Sequence, residues 1–114
     1  MRKLSVLLLL SLASISKVQA VDVSMNAEQL YTKWCVPCHS TDKGAPGTLR
    51  LSRTRGKDLA VLLHRPPLSA SYMKKVVREG LGAMPLFRRS EISTKQLGSM
   101  VDYIIQQQEK YSSK

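Results

Sequence analysis

The sequence contains very few of the side chains that bind metal ions. Among its 114 residues there are two cysteines, Cys35 and Cys38, and two histidines, His39 and His64. A structural zinc site takes four cysteine or histidine ligands, which occur in two closely spaced pairs. Downstream of Cys35 and Cys38 there is no third cysteine, and His64 is the only histidine beyond His39. The sequence therefore argues against a structural zinc site.

Aromatic and acidic residues are also scarce. Aromatic residues make up 5% of the chain. The chain has 8 acidic residues and 18 lysines and arginines, which gives a formal net charge of +10. Few aromatic side chains are free to stack on bases, and no recognised nucleic-acid-binding motif is present, so we expect no nucleic-acid partner. The positive charge is explained either by solubility or by attraction to an acidic protein partner.

No apolar run is long enough for a membrane span, which needs about 18 residues. The longest run, residues 4–15, is interrupted by serines. It follows Arg2 and Lys3 and precedes a small-residue site that ends at Ala20, the pattern of a secretory signal peptide. We predict that residues 1–20 are cleaved and that residues 21–114 form one domain exported to the periplasm, with no membrane attachment. An uncleaved anchor is the alternative.

Cleavage would leave a small and still basic domain. Loss of Arg2, Lys3 and Lys17 leaves 15 basic against 8 acidic residues, a charge of about +7. The remaining 94 residues can remove only roughly 60–65% of their unfolded surface from water. A large buried cofactor would supply much of the apolar contact that such a chain lacks.

The cysteines and the first histidine form the segment Cys-Val-Pro-Cys-His at residues 35–39. This spacing attaches a c-type haem. Each thiol adds to one vinyl group of the porphyrin, and the adjacent His39 is then held where its imidazole can ligate the iron. Cys35 and Cys38 are consumed in this chemistry, so no disulfide remains possible. We predict one covalently bound haem c.

A thiol–disulfide oxidoreductase is the rival interpretation of Cys35 and Cys38. Its attacking cysteine needs a lowered pKa, which a helix N-terminus or a nearby cation provides. The pair here lies near the end of a predicted helix, at the opposite end of its dipole. No strand precedes the motif and no βαβ pattern surrounds it, so the sequence favours haem.

The hydrophobic periodicity predicts an all-α fold of about four helices and no strand. The predicted helices are residues 27–35, 59–64, 70–79 and 94 to about 108. Their predicted N-terminal caps are Asn26 with Gln29, Asp58, Ser69, and Ser93 with Gln96. We expect residues 40–51 to form a loop because they contain Gly44, Pro46 and Gly47, and we expect the polar tail, residues 106–114, to fray.

A second iron ligand is predicted in the breaker-rich residues 80–87, Gly-Leu-Gly-Ala-Met-Pro-Leu-Phe. The thioether of Met84 can hold haem iron opposite a histidine, and Pro85 restricts Met84 to an extended backbone. Met25 and Met100 are weaker candidates, because Met25 precedes the first helix and Met100 lies on the apolar face of the last one. His64 is the alternative for bis-histidine ligation, although a histidine beside two prolines is more typical of a surface.

Two further features near the motif are predicted to serve the haem. A ligating histidine usually donates its second ring N–H to a carbonyl, and the backbone at residues 45–46 is the candidate acceptor for His39. The basic residues Arg50, Arg53, Arg55 and Lys57 follow, and we expect one of them to meet a haem propionate. Arg50, the first of them, is included among the site residues.

With these motifs in place, the chain resembles the class I cytochrome c family over nearly all of residues 21–114. In that family an aromatic four residues before the first cysteine packs against an aromatic of the last helix, and Tyr31 and Tyr103 stand at those places. Pro46 matches the proline whose carbonyl accepts from the histidine. Residues 72–87 most resemble the small cytochrome subunits of flavin-dependent phenol-oxidising enzymes, such as p-cresol methylhydroxylase and eugenol hydroxylase.

This resemblance implies a helical wrap around one haem, with one-electron transfer as the function and no catalysis of its own. With His39 and Met84 both on the iron, no small-molecule substrate reaches the metal, which argues against a haem peroxidase or gas sensor. The implied partner is an acidic or flavin-containing redox protein. We expect it to dock where the haem edge meets solvent, on apolar side chains ringed by Lys43, Lys74, Lys75, Arg78, Arg88 and Arg89.

Overall fold

The computed structural model of the chain describes residues 24–114, and the predicted signal peptide lies outside this range. Five α-helices and two 3₁₀ turns follow one another: α1 Ala27–Trp34, α2 Val36–His39, α3 Pro46–Arg55, the turns Lys57–Leu59 and Leu62–His64, α4 Ala70–Glu79, and α5 Thr94–Ser112. Within the described residues the only β-type pairing is an isolated bridge between Leu81 and Met84. The predicted all-α class is confirmed. None of these helices has the length and apolarity to cross a bilayer.

The N-termini of α1, α4 and α5 begin where the sequence predicted. Asn26 and Gln29 exchange side-chain to backbone hydrogen bonds of 2.9 Å in both directions. Ser93 and Gln96 form the same reciprocal pair at the start of α5. The Ser69 hydroxyl accepts from the Tyr72 N–H at 3.2 Å. Each cap satisfies amide groups that have no partner inside the helix.

The core lies where α1 and α4 pack against α5. Its buried residues are Leu30, Tyr31, Met73, Ile92, Leu97, Met100, Val101 and Ile104. The rings of Tyr31 and Tyr103 meet at 5.6 Å between centroids, so α1 and α5 are joined by the aromatic pair that the resemblance implied. Met100 is 1% exposed within this core, which agrees with its predicted packing role.

Two predictions between the haem motif and α4 are wrong. Residues 40–51 are not all loop, because α3 begins at Pro46. Proline at the first helical position has a suitable φ and lacks only an N–H that would be unpaired there. The helix predicted at residues 59–64 is instead split into two 3₁₀ turns. The first follows Gly56 at φ +93, and the Asp58 side chain caps no helix.

The C-terminal tail does not fray as predicted, since α5 continues to Ser112. Gln108 is fully buried. Its side-chain amide donates to the Leu62 carbonyl at 2.8 Å, and its side-chain oxygen accepts from the Leu68 N–H at 3.1 Å. One turn later, Tyr111 stacks on His64 with 4.3 Å between ring centroids. These contacts hold residues 62–68 against the last turns of α5.

Candidate haem site

Cys35 stands at the junction of α1 and α2. Its N–H donates to the Tyr31 carbonyl at 2.8 Å, which closes α1, and its own carbonyl accepts from Cys38 and His39 at 3.1 and 2.8 Å. Residues three and four apart on a helical turn are neighbours. This single turn therefore brings both thiols and the histidine together. Cys38 is exposed and Cys35 is partly buried.

His39 is held in a partly buried position beside α3. The Tyr31 hydroxyl donates to its carbonyl at 3.3 Å. A Cβ added at Gly47 would lie 2.9 Å from Cε1 and 3.0 Å from Nδ1 of the imidazole, so the α3 backbone approaches the ring closely. Burial, assisted by the positive charge of Arg65, lowers the pKa of His39. A neutral imidazole is the form that ligates a metal.

Pro46 lines a cavity together with His39, but the predicted hydrogen bond between them is not formed. The Nδ1 atom of His39 is buried and has no hydrogen-bond partner within the described residues. The neighbouring Ala45 carbonyl accepts instead from the Leu49 N–H at 2.8 Å, the first bond of α3. The structure thus brings Pro46 to the site and leaves the orienting role of its carbonyl as a prediction.

Met84 lies in a tight turn of residues 80–87, which we call the Met84 loop. Its N–H and carbonyl both pair with Leu81, at 3.0 and 3.1 Å. Gly80 and Gly82 adopt φ values of +77 and +58, in the left-handed region that glycine enters without penalty. The two glycines therefore allow the reversal that carries the partly buried Met84 to the site.

The end of the Met84 loop is fixed to α4 and to the core. The Phe87 N–H donates to the Val77 carbonyl at 2.8 Å. The Arg78 guanidinium donates to the carbonyls of Phe87 and Ile92 at 3.0 and 2.8 Å. The Phe87 ring meets Trp34 edge-on at 5.8 Å. Arg78 was predicted to belong to a ring of charge around the haem edge, and the structure shows that its guanidinium also ties the Met84 loop to the core.

Two adjoining cavities lie between the Cys-x-x-Cys-His turn and the Met84 loop. The loop-side cavity is about 520 Å³ and is bounded by α3 and the Met84 loop. The core-side cavity is about 120 Å³ and reaches Met73, Leu97 and Met100 in the core. Both are lined by His39, Leu51, Leu81 and Met84. The imidazole and the thioether therefore border both parts of one largely apolar cleft, whereas Met73 and Met100 line only the core-side cavity and Met25 lines neither.

The cationic side chains are distributed unevenly around the cleft. Arg50 and Arg55 line the loop-side cavity, and Arg50 is exposed. Arg53 and Lys57 are exposed and line neither cavity. Arg65 lines the core-side cavity, and its Nε atom is buried without a partner. Sequence reasoning missed Arg65, although it is the lone cation in a largely apolar segment that ends at two prolines.

The structure disfavours the thiol–disulfide interpretation. Burial raises the pKa of Cys35 to about 12, and the neighbouring Cys38 thiolate adds to this rise. An attacking thiol needs the opposite shift. Among residues 24–114, no three histidine, cysteine or carboxylate side chains converge on a point that could hold a metal ion.

The residues of the cleft fit a covalently bound haem. Two thiols and a neutral histidine stand on one helical turn, and a thioether approaches from a separate loop. The surface between them is largely apolar, as a porphyrin requires. Two buried polar atoms, His39 Nδ1 and Arg65 Nε, lack protein partners, and buried polar groups normally have one.

Comparison with known proteins agrees with this geometry. The family model described as cytochrome C oxidase, cbb3-type, subunit III matches residues 23–104. This range is more than half of the chain, and it includes the Cys-x-x-Cys-His turn, the Met84 loop and the first half of α5. No curated protein and no solved structure matches the chain.

Proposed function

Because the chain belongs to the cytochrome c family described as cytochrome C oxidase, cbb3-type, subunit III, we propose that it transfers single electrons through a haem c ligated by His39 and Met84. The family implies a covalently bound haem c, and it makes the chain an electron-transfer protein rather than an enzyme. When bound, the haem supplies one-electron chemistry by cycling between Fe(II) and Fe(III).

One observation carries the ligand assignment: His39 and Met84 line the same two cavities from different parts of the chain. Each is fixed by its own hydrogen bonds. The Cys35 carbonyl holds the His39 N–H, and Leu81 holds both backbone groups of Met84. The histidine and the methionine can therefore approach a bound porphyrin from separate backbone segments.

On the histidine side, Cys35 and Cys38 would hold the haem through two thioether bonds. Burial keeps His39 neutral, so its imidazole lone pair is available to the metal. The close approach of Gly47 limits rotation of the ring, because almost no space remains beside Cε1 and Nδ1. These contacts hold the His39 imidazole in position to bind a metal.

On the other side, Met84 provides a soft thioether that favours Fe(II) and raises the reduction potential. The Met84 loop is tied to α4 through Val77 and Arg78, so the sulfur is held near the cleft. A haem held by both His39 and Met84 would offer no open coordination site to a small substrate. This arrangement supports electron transfer over a peroxidase or gas-sensing role.

Replacing Met84 with alanine tests the ligand assignment. We expect Met84→Ala to abolish the weak sulfur-to-iron absorption band of the oxidised protein and to lower its reduction potential. Met73→Ala and Met100→Ala make the same substitution elsewhere and serve as controls. Both variants should keep the band, although replacing a core methionine with alanine can lower the free energy of unfolding by about 2–5 kcal/mol. A Met84→Ala protein with an unchanged band would assign the sixth position to another residue.

The partner proposed for this protein is an acidic or flavin-containing redox protein. The Met84 loop exposes the apolar side chain of Leu86, which is 52% exposed and lines neither cavity. Arg88 and Arg89 follow directly and are exposed. Apolar contact beside positive charge suits an acidic docking site. The resemblance of residues 72–87 to flavoenzyme cytochrome subunits supports the flavin-containing alternative.

Export to the periplasm is part of the same proposal. It rests on the signal-like residues 1–20, and cytochrome c domains are typically exported proteins. Fractionation of cells that express the full chain, followed by N-terminal sequencing, tests it. We expect periplasmic protein that begins at Val21. Protein retained in the membrane with an intact N-terminus would support the uncleaved-anchor alternative.

A further inference from the structure

Arg65 places a cation against the apolar interior of the haem cleft. It follows the turn Leu62–His64 and lines the core-side cavity together with Cys35, His39 and Met84. Its Nε atom is buried and makes no hydrogen bond within the described residues. Arginine stays charged in proteins, so this is a buried donor on a permanent cation.

A buried donor without an acceptor is costly, and a donor on a charged group is the costliest kind. Among residues 24–114, one ion pair is formed, between Lys75 and Glu79 at 3.9 Å on the surface of α4. No carboxylate of these residues pairs with Arg65. The Nε–H of Arg65 is therefore available to an acceptor on a molecule that fills the cleft. A haem carries two carboxylates, which are acceptors with the charge and planarity that a guanidinium matches.

We propose that Arg65 binds a propionate carboxylate of the haem on the core side of the cleft. Arg50, the sequence-based candidate, is exposed on α3 and borders the loop-side cavity. A fully solvated cation gains little from an ion pair, whereas the partly buried Arg65, whose Nε is out of contact with water, gains more because the local dielectric is lower. This inference depends on the haem and not on the proposed redox partner.

Pairing with Arg65 has a defined effect on the iron. The guanidinium keeps the carboxylate ionised and cancels its charge, so the reduction potential contains no pH-dependent contribution from this group. Without the cation, burial raises the pKa of the carboxyl group. The unpaired anion formed above that pKa stabilises Fe(III), so the potential falls as pH rises. The other titratable side chains of the core-side cavity are Cys35, His39 and Tyr72, and all three are retained in the variants below.

The experiment compares haem-loaded Arg65→Gln, Arg65→Lys and Arg53→Gln with the native protein, by spectroelectrochemistry between about pH 5 and pH 8, where a raised carboxyl pKa would fall. We expect Arg65→Gln to show a lowered potential that decreases further with pH. Arg65→Lys keeps the charge and should restore most of the native potential. Arg53→Gln, at an exposed arginine that lines neither cavity, should behave as native. An unchanged potential and pH profile in Arg65→Gln, or an equal effect of Arg53→Gln, would overturn the proposal.

A measurement on the native protein covers the case in which Arg65→Gln does not assemble. In ¹⁵N-labelled reduced protein, the Arg65 Nε–H should exchange slowly with water and show nuclear Overhauser contacts to the methylene protons of a haem propionate. A rapidly exchanging Nε–H, or contacts to protein groups alone, would contradict the proposal. Loss of covalent haem from the native protein would instead count against the haem assignment itself, so the two failures are distinct.

Discussion

The backbone of Gly80 lies directly against that of Met84. A Cβ added to residue 80 would stand 2.8 Å from the Met84 carbonyl oxygen, closer than side chains are found in folded proteins. Gly80 also has φ +77 and ends α4 by donating to the Val76 carbonyl at 2.8 Å. The position of Met84 therefore depends on a residue without a side chain four positions earlier.

Substitution of Gly80 should displace the methionine. We expect Gly80→Ala to lower the free energy of unfolding by about 1–3 kcal/mol, because alanine is strained at this φ and its methyl group meets backbone. The sulfur-to-iron band should weaken as the loop shifts. Chemical denaturation and the visible spectrum of the oxidised protein measure the two effects.

Gly82→Ala is the matched control for this substitution. Gly82 also has a positive φ, of +58, but nothing lies within 4 Å of a Cβ built there. Gly82→Ala should therefore lower the free energy of unfolding only through backbone strain, by about 1 kcal/mol. It should keep the sulfur-to-iron band. Equal spectral effects of the two variants would show that contact with Met84 does not set the geometry of the loop.

Covalent attachment gives a second prediction. Acid–acetone extraction should leave the haem on the polypeptide, because Cys35 and Cys38 both form thioethers. Cys35→Ala and Cys38→Ala proteins should each retain one bond, which shifts the absorption maximum of the reduced pyridine haemochrome. Haem that partitions into the solvent from the native protein would refute the attachment.

The haem-free chain should be largely unfolded. Its described core has few fully buried side chains, and the cleft between the Cys-x-x-Cys-His turn and the Met84 loop exposes apolar walls to water when empty. A small domain without the apolar contacts of the haem buries little surface, so its free energy of unfolding is small. Near-UV circular dichroism of a Cys35→Ala, Cys38→Ala double variant made without haem should lack native features. A native-like spectrum would contradict this expectation.

The sequence predicted the features that depend on neighbouring residues. Haem attachment followed from the spacing of Cys35, Cys38 and His39, and the starts of α1, α4 and α5 followed from their capping residues. These are local signals, because their partners lie within four positions. The helical start at Pro46 was missed because Gly44 and Gly47 beside it gave a stronger loop signal.

The sequence did not predict hydrogen bonds between polar side chains and partners that are distant in the chain. Arg78 bonds to carbonyls 9 and 14 residues away, and Gln108 bonds to groups 40 and 46 residues away. Both residues have sequence neighbours typical of an exposed helical face. Only the tertiary fold determines that these two side chains point inward, as it does for Arg65.

Gln108 gives a further prediction, because its amide joins α5 to residues 62–68. Gln108→Leu keeps a similar volume but leaves the Leu62 carbonyl and the Leu68 N–H without partners. An unsatisfied buried polar group costs about 1–3 kcal/mol, so we expect a loss of stability in this range, measured by denaturant unfolding of the haem-loaded protein. Since Arg65 lies in the released segment, the reduction potential should also shift.

The control is Gln106→Leu, two positions earlier on the exposed side of α5. It makes the same chemical change without removing a recorded hydrogen bond, so its stability should change by less than about 0.5 kcal/mol. If the two leucine variants were equally stable, the Gln108 contacts would not account for the extension of α5 to Ser112.

The last prediction concerns the surface that meets the redox partner. We expect electrons to enter or leave beside the Met84 loop, where Leu86 is 52% exposed and lines neither cavity. Arg88 and Arg89 lie next to this apolar surface, whereas Arg78 is occupied by backbone carbonyls. Small redox interfaces bind weakly and depend on charge for their association rate.

We therefore expect the bimolecular rate with the cognate partner to fall as ionic strength rises, and to fall further in an Arg88→Glu, Arg89→Glu double variant. A Lys110→Glu, Lys114→Glu double variant, which changes the net charge by the same amount at the exposed C-terminal end, is the control, and its smaller effect would separate local docking from net charge. A rate that responds neither to salt nor to charge reversal at Arg88 and Arg89 would exclude electrostatic docking on this surface, while the haem assignment would stand unchanged.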